Sequence, residues 1–104
     1  MTPPTAPRLA SVWDALRTVI DPEVGLDIVT MGLVYDVALD GGTVRVTHSL
    51  TSPRCPMERV ITDGIREAVG FADGVQAVDT WLVWDPEWHA GMIAPDAWDR
   101  SAGG

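Results

Sequence analysis

The only cysteine of the chain lies between two prolines, where one hydrophobic pattern gives way to another. An alternating apolar and polar run ends at Leu50, and an apolar run with helical spacing begins at Pro56. Proline suits the first position of a helix, because the N–H that it lacks would have no partner there. The pattern therefore predicts a strand followed by a helix, with Cys55 at the corner between them.

Cys55 is expected at or next to the N-cap of that helix, beside unpaired backbone N–H groups. These donors and the neighbouring Arg54 cation favour the thiolate, which is the form that attacks electrophiles and binds metals. A free cysteine is also commonly a small buried apolar residue, and that alternative stays open here. A loop end between prolines favours the reactive cysteine.

The length and the cysteine content limit the class of protein. A chain of 104 residues that is 46% hydrophobic suffices for one domain with a two-layer core. We expect a flexible N-terminus over residues 1–7 and a single domain over residues 8–104. One cysteine excludes an intrachain disulfide and a CxxC site, which favours a reducing compartment. The first residues lack the features of a secretory signal and no apolar run is long enough to span a bilayer, so we expect a cytoplasmic protein without a membrane partner.

The net charge of −8 argues against nucleic acid as a partner, because such a chain repels phosphate backbones. The sequence contains no lysine, so all seven of its cationic side chains are arginines. This composition excludes Schiff-base chemistry and a lysine-dependent P-loop.

The hydrophobic periodicity predicts an α+β fold, a two-layer α-β-β-α-β domain with a small mixed three-stranded sheet and a short C-terminal helix. The first two strands should be antiparallel, because a short Asp-Gly-Gly turn joins them. The third strand follows a helical crossover, and the strand order stays open. The predicted elements are a helix from Leu9 to Asp21, strands over 33–39 and 43–50, a helix over 56–70, a strand over 75–84 and a helix beginning near Pro95 that contains Trp98.

The turn Asp21-Pro22-Glu23-Val24-Gly25-Leu26 brings two carboxylates into one loop. Asp21 either caps this turn or takes part in function, and the sequence does not choose between the two. Glu23 leans towards function, because its side chain is too long for the same kind of cap. Asp85-Pro86-Glu87 has the same three letters as Asp21-Pro22-Glu23, although three residues do not make a repeat.

The two histidines differ in their setting. His48 lies on the apolar face of its strand, so a core histidine bonded to a neighbour is favoured over a metal ligand. His89 lies in a loop with acidic neighbours and is the better ligand candidate of the two. The tryptophans of the tail, Trp84, Trp88 and Trp98, are expected to cover the edge of their own sheet rather than a second subunit.

Three stretches together resemble the SufT/PaaD-like family of iron–sulfur assembly domains, which includes the cytosolic iron–sulfur targeting subunit of eukaryotes. The stretches are Asp21 to Val29 with Gly32 to Tyr35, Thr51 to Met57, and Leu82 to Trp88 followed by Met92-Ile93. They occur in the family's order along nearly the whole chain. The resemblance implies a compact helix-strand-strand-helix-strand domain that helps to mature iron–sulfur or other iron proteins.

The resemblance also implies roles for particular residues. Cys55 matches the family's reactive or cluster-related cysteine, and Asp21, Glu23 and Thr51 match polar positions grouped near it. The chain departs from the family at Thr30, where an acidic residue is usual, and at Arg54, where glycine is common. The charge beside the cysteine therefore differs from that of the family.

A metal-sulfur cluster assembly or maturation factor is the predicted function, rather than an enzyme. Stable clusters take about four thiolate ligands, so one thiol holds iron or an iron–sulfur cluster only labilely. The candidate metal ligands are Cys55, Glu23 and His89, with Asp21, Thr51 and Arg54 as supporting polar residues. The expected partners are the iron–sulfur assembly machinery and apo client proteins, and a homodimer would bring two thiols to one metal unit.

Three alternatives remain at this point. One is a dedicated maturation or adapter protein for a multicomponent di-iron oxygenase. Another is a binding adapter whose acidic, tryptophan-rich tail docks a partner while Cys55 is merely structural. The third is an enzyme with Cys55 as nucleophile and His48 or His89 as base.

Overall fold

The structure, a computed structural model, describes residues 7–52 and 57–95. Arg54 and Cys55 lie outside the described residues, as do residues 1–6 of the N-terminus predicted to be flexible over 1–7, and the predicted C-terminal helix around Trp98. The helices and strands are α1 (Leu9–Leu16), β1 (Ile20–Asp21), β2 (Leu26–Asp27), β3 (Val34–Asp40), β4 (Thr43–His48), α2 (Glu58–Gly70) and β5 (Ala77–Leu82), followed by a 3₁₀ turn over Ala90–Met92.

The main sheet has three strands in the order β3-β4-β5. β3 and β4 pair antiparallel, and β4 and β5 pair parallel, so that Val46 lies opposite Val37 on one side and Thr80 on the other. The sheet is therefore mixed, as predicted, and the strand order that the sequence left open places β4 at its centre. α2 is the crossover between the two parallel strands.

The core lies between the sheet and the two helices. β4 turns Val44, Val46 and His48 inward, and all three are at most 1% exposed. α1 contributes Val12 and Leu16, and α2 contributes Ile61, Ile65 and Val69. Each fully buried aliphatic side chain of this kind stabilises a fold by about 1.5–3 kcal/mol. The two-layer α+β prediction is confirmed by this packing.

α1 ends at Leu16, so the predicted extension of the helix to Asp21 is wrong. The N–H groups of Thr18 and Val19 bond three residues back, which tightens the last turn and ends the helix. The β-branched residues that follow favour an extended backbone, and β1 pairs with β2 in a two-residue ladder. Ile20 is consequently 50% exposed, although the helical pattern placed it on the buried face.

Gly64 permits a close approach, as expected for a glycine in the apolar stripe of α2, but its neighbour is not the main sheet. A Cβ atom at Gly64 would lie 3.2 Å from Cγ1 of Val19, in the segment between α1 and β1. The helix therefore packs tightly against the β1–β2 hairpin side of the molecule.

Candidate functional site

The candidate site lies at one end of the sheet, beyond the carboxyl ends of the parallel strands β4 and β5. Ligands of open parallel sheets bind in crevices at this end. After β5 the chain stays beside β4, because the Val83 N–H donates to the His48 carbonyl oxygen over 2.9 Å. After β4 the chain runs to Ser52, and it is described again from Met57, the N-cap residue of α2. Cys55 lies two positions before Met57 in the sequence.

A recess of about 280 Å³ opens at this end of the sheet. Thr51, one of the predicted site residues, lines this recess. Glu87 also lines the recess, although it was not among the predicted site residues. The described lining consists of Leu50, Thr51, Ser52, Trp84 and Glu87.

Asp21 is buried, at 1% exposed, and it holds its own turn together. Its Oδ1 accepts the Glu23 N–H over 2.8 Å, and its carbonyl oxygen accepts the Gly25 N–H over 2.7 Å. Gly25 has a φ of +82°, a conformation that side chains disfavour and glycine adopts freely. The geometry is that of the capping alternative for Asp21, while Glu23 is exposed on the same turn.

His48 is buried at 1% exposed, and its Nδ1 lies 3.1 Å from the Ser49 carbonyl oxygen. A carbonyl only accepts, so Nδ1 carries the proton and Nε2 holds a lone pair. Nε2 has no hydrogen-bond partner among the described residues. Burial lowers the pKa of His48 below its usual value, although the Ser49 carbonyl and the charge of Glu58 oppose that change. His48 is thus a neutral core histidine bonded to a neighbour, as predicted.

His89, a predicted metal ligand, precedes the 3₁₀ turn and caps it. Its Nδ1 accepts the Gly91 N–H over 3.1 Å, so one ring nitrogen is already used within the turn. Within residues 7–52 and 57–95, no group of three or more His, Cys, Asp or Glu side chains could hold a metal ion. The described residues alone therefore do not assemble the predicted ligand set.

The tail after β5 is held by three hydrogen bonds, two to the loop before β3 and one to β3 itself. Trp88 Nε1 donates to the Met31 carbonyl oxygen over 2.7 Å, and the Tyr35 hydroxyl donates to the Pro86 carbonyl oxygen over the same distance. The Ala94 N–H donates to the Thr30 carbonyl oxygen over 2.8 Å. Trp88 thus covers its own chain, as predicted, whereas Trp84 remains 40% exposed beside the recess.

No helix in the described part of the chain is both long and apolar enough to cross a bilayer.

Comparison with known proteins gives one family. A family model described as "Iron-sulfur cluster assembly protein" matches residues 9–80. The chain is 40% identical over 79 residues to the Fe-S protein maturation auxiliary factor YitW of Bacillus subtilis, which covers 75% of this chain and 78% of that protein. It is also 40% identical over 77 residues to the Fe-S protein maturation auxiliary factor SufT of Staphylococcus aureus, covering 73% of this chain and 88% of that one.

The fold matches a solved structure as well. The crystal structure of a domain of unknown function, DUF59, from Bacillus anthracis superposes with a TM-score of 0.80 at 32% identity. The match covers 89% of this chain and 90% of that chain. The resemblance to a SufT-like assembly family and the predicted fold class are both confirmed.

Proposed function

Because the chain belongs to the iron–sulfur cluster assembly protein family, we propose that it carries out a maturation role through a single reactive thiol, that of Cys55. Its cargo is iron or an iron–sulfur cluster, which it receives from the assembly machinery and passes to apo client proteins. The observation that carries the proposal is the position of the only thiol in the sequence, just before the N-cap of α2 and after the end of β4.

The N-terminus of α2 carries a partial positive charge, which favours the thiolate form of a nearby cysteine. The helix has 13 residues, and its N-cap Met57 makes no side-chain capping hydrogen bond. The first N–H groups of any helix have no partner within the helix itself. Such groups stabilise a nearby anion, which favours a thiolate over a thiol. The thiolate is the form of cysteine that binds iron.

One thiolate gives labile binding, because common clusters need about four ligands. Lability suits a protein that hands its cargo to a client. We propose that Glu23, the exposed carboxylate of the β1–β2 turn, supplies an oxygen ligand, and that Asp21 keeps this turn in shape. The remaining ligands come from the partner or from a second copy, in the cytoplasm.

Anaerobic reconstitution with iron and sulfide tests the proposal. The wild-type protein should gain the visible absorbance of a cluster, and native mass spectrometry should show the added iron and sulfide. Cys55→Ser should remove both signals, while the matched variant Ser11→Ala, on the first turn of α1, should keep them. Equal loading of wild type and Cys55→Ser would overturn the proposal.

A cellular assay tests the handover. Iron–sulfur enzymes should lose activity in cells whose only copy of the protein is Cys55→Ala, and their polypeptide levels should stay constant. Full client activity with Cys55→Ala would instead favour the adapter alternative, in which the tail docks the partner.

A further inference from the structure

A tryptophan, a carboxylate and a guanidinium already form one packed unit on the outer face of the sheet. Cζ of Arg45 lies 4.5 Å from the centroid of the Trp81 ring. Trp81 Nε1 donates to Asp79 Oδ2 over 2.8 Å, and Arg45 Nε lies 3.7 Å from the same oxygen. A cation over an indole face is attracted by the ring, and the carboxylate fixes its orientation. The fold thus holds one arginine between an indole and a carboxylate.

An indole and a carboxylate also occur together further along the chain, in Trp84 and Glu87, and no arginine of residues 7–52 and 57–95 is paired with that carboxylate. Trp84 and Glu87 both line the recess beyond β4 and β5. The described ion pairs are Arg17 with Asp14 and Arg45 with Asp79, so no arginine of the described part pairs with Glu87. The indole of Trp84 is 40% exposed and available for contact.

The size of the recess indicates what kind of group it takes. A cavity of about 150 Å³ accommodates benzene, and pockets for small ligands begin near 300 Å³. A recess of about 280 Å³ is therefore far too large for a bare metal ion and suits one long side chain. Leu50 offers an apolar surface to the methylene groups of such a side chain, and the Thr51 hydroxyl offers an acceptor to its polar end.

Charge indicates the sign of the group. A recess lined by a glutamate, a threonine and a tryptophan attracts a cation, and the net charge of −8 strengthens that attraction. A second copy carries the same net charge, which disfavours it as the source of the occupant of this recess. Guanidinium suits the recess better than ammonium, because its plane stacks on indole while its N–H groups reach a carboxylate.

We infer that the recess of Thr51, Trp84 and Glu87 binds an arginine side chain of a partner protein. The inference rests on the proposed function, since the partner is a donor or a client of the iron–sulfur cargo. Ser52, one of the lining residues, lies three positions before Cys55 in the sequence, which connects this recess with the proposed thiol chemistry.

The test uses blocked tripeptides with a central arginine, lysine or citrulline, because citrulline has nearly the shape of arginine without its charge. Indole N–H signals in two-dimensional NMR report binding, and Trp84→Phe and Trp81→Phe assign the two signals of interest. The arginine peptide should shift the Trp84 signal and leave the Trp81 signal in place, since Arg45 already covers that ring. Lysine should bind more weakly than arginine, and citrulline should cause no shift.

Glu87→Gln should weaken arginine binding by about 1.5-fold to fivefold, the range expected for a solvent-exposed ion pair. Glu67→Gln is the matched control, because Glu67 is an exposed carboxylate of α2 that lines a different groove. Equal shifts with arginine and citrulline, or equal binding by wild type and Glu87→Gln, would overturn the inference. So would self-association of the protein that the arginine peptide disrupts, since the occupant would then be a second copy.

The Cys55→Ser variant separates this inference from the proposed function. It should bind the arginine peptide as tightly as wild type does while failing to load iron and sulfide. If Cys55→Ser loads iron and sulfide normally and also binds the arginine peptide, the proposed role of the thiol is wrong, whereas the proposed arginine-binding site is supported.

Discussion

The tripeptide Asp-Pro-Glu occurs twice, and the two copies do different things. In the β1–β2 turn, Asp21 is buried and its carboxylate caps the backbone, while Glu23 faces outward. In the tail, Asp85 is exposed, and the contacts are made by the Pro86 carbonyl oxygen and by Glu87 at the recess. The same three residue types therefore form a turn held by its own backbone in one place and contribute to the lining of the recess in the other.

The difference comes from what flanks each copy. Gly25 closes the first turn, so that the Asp21 carbonyl oxygen accepts two N–H groups and its carboxylate accepts a third. In the second copy Trp88 follows instead, and its indole bonds to Met31 across the molecule. The first turn is held by its own backbone, and the second is held by the rest of the fold.

The largest expected difference in the free energy of unfolding is between substitutions of the two aspartates, Asp21 and Asp85. Asp21→Ala should destabilise the protein by about 1–3 kcal/mol, because it leaves the partly buried Glu23 N–H without its acceptor. Asp85→Ala should change the free energy of unfolding by about 0.5 kcal/mol or less, as exposed substitutions do. Urea denaturation measures both. Asp21→Asn should recover most of the loss, and equal losses at the two positions would contradict the contrast.

The next effect concerns how the tail is held. Trp88→Phe removes the indole donor to the Met31 carbonyl oxygen and should cost about 1–3 kcal/mol, because that acceptor is then left unpaired in a partly buried place. Tyr35→Phe removes the bond to the more exposed Pro86 carbonyl oxygen and should cost about 0.5–1.5 kcal/mol. Hydrogen exchange of the Ala94 amide should speed up in Trp88→Phe. Unchanged exchange and stability would show that the tail is held by other contacts.

The third and smaller expected effect is on the pH dependence of stability. It compares the two histidines, His48 in the core and His89 in the tail. Burial lowers the pKa of His48 below that of an unfolded chain, so the unfolded state binds a proton more readily. The stability that this histidine contributes is therefore complete above about pH 6.5 and is lost as the pH falls through the lower folded value.

Unfolding free energies between pH 7.5 and 5 check this sign. Replacement of His48 by glutamine should flatten the decline seen in the wild type, whereas His89→Gln, in an exposed position, should leave the decline unchanged. A wild-type curve that rises as the pH falls, or that keeps its slope in the His48 variant, would contradict the assignment.

The smallest expected effects on stability are those of substituting the two glutamates, Glu23 and Glu87. These two substitutions should differ in the function that they change. Glu23→Gln and Glu87→Gln should each change the free energy of unfolding by about 0.5 kcal/mol or less, since both side chains are exposed. Glu23→Gln should lower iron loading without altering arginine binding, and Glu87→Gln should do the reverse. Iron content after reconstitution and NMR titration give the two readouts, and a shared loss in both variants would erase the distinction.

The parts of the fold that follow from local pattern were predictable. The apolar spacing from Ile61 to Val69 predicted α2, and Asp40-Gly41-Gly42 predicted the hairpin, in which Gly41 has a φ of +59°. The end of α1 was not predictable, because Val19 and Ile20 continue the helical spacing while their branched side chains and the pairing with β2 favour a strand.

The candidate site was predictable only in part. The resemblance of the motifs placed Thr51 near the site, and it lines the recess. Glu87 was missed because it lies 36 positions after Thr51, and only the parallel pairing of β4 with β5 brings the two ends together. The repeated Asp-Pro-Glu and the family-like stretch from Leu82 to Trp88 both contain Glu87, but neither indicates which residues lie beside it in the fold.

The most direct test of the account is whether the thiol of Cys55 binds metal. Cobalt(II) added anaerobically to the reduced protein should produce the near-ultraviolet charge-transfer band of a thiolate bound to cobalt, and Cys55→Ser should lack that band. An identical cobalt spectrum in wild type and Cys55→Ser would contradict the account.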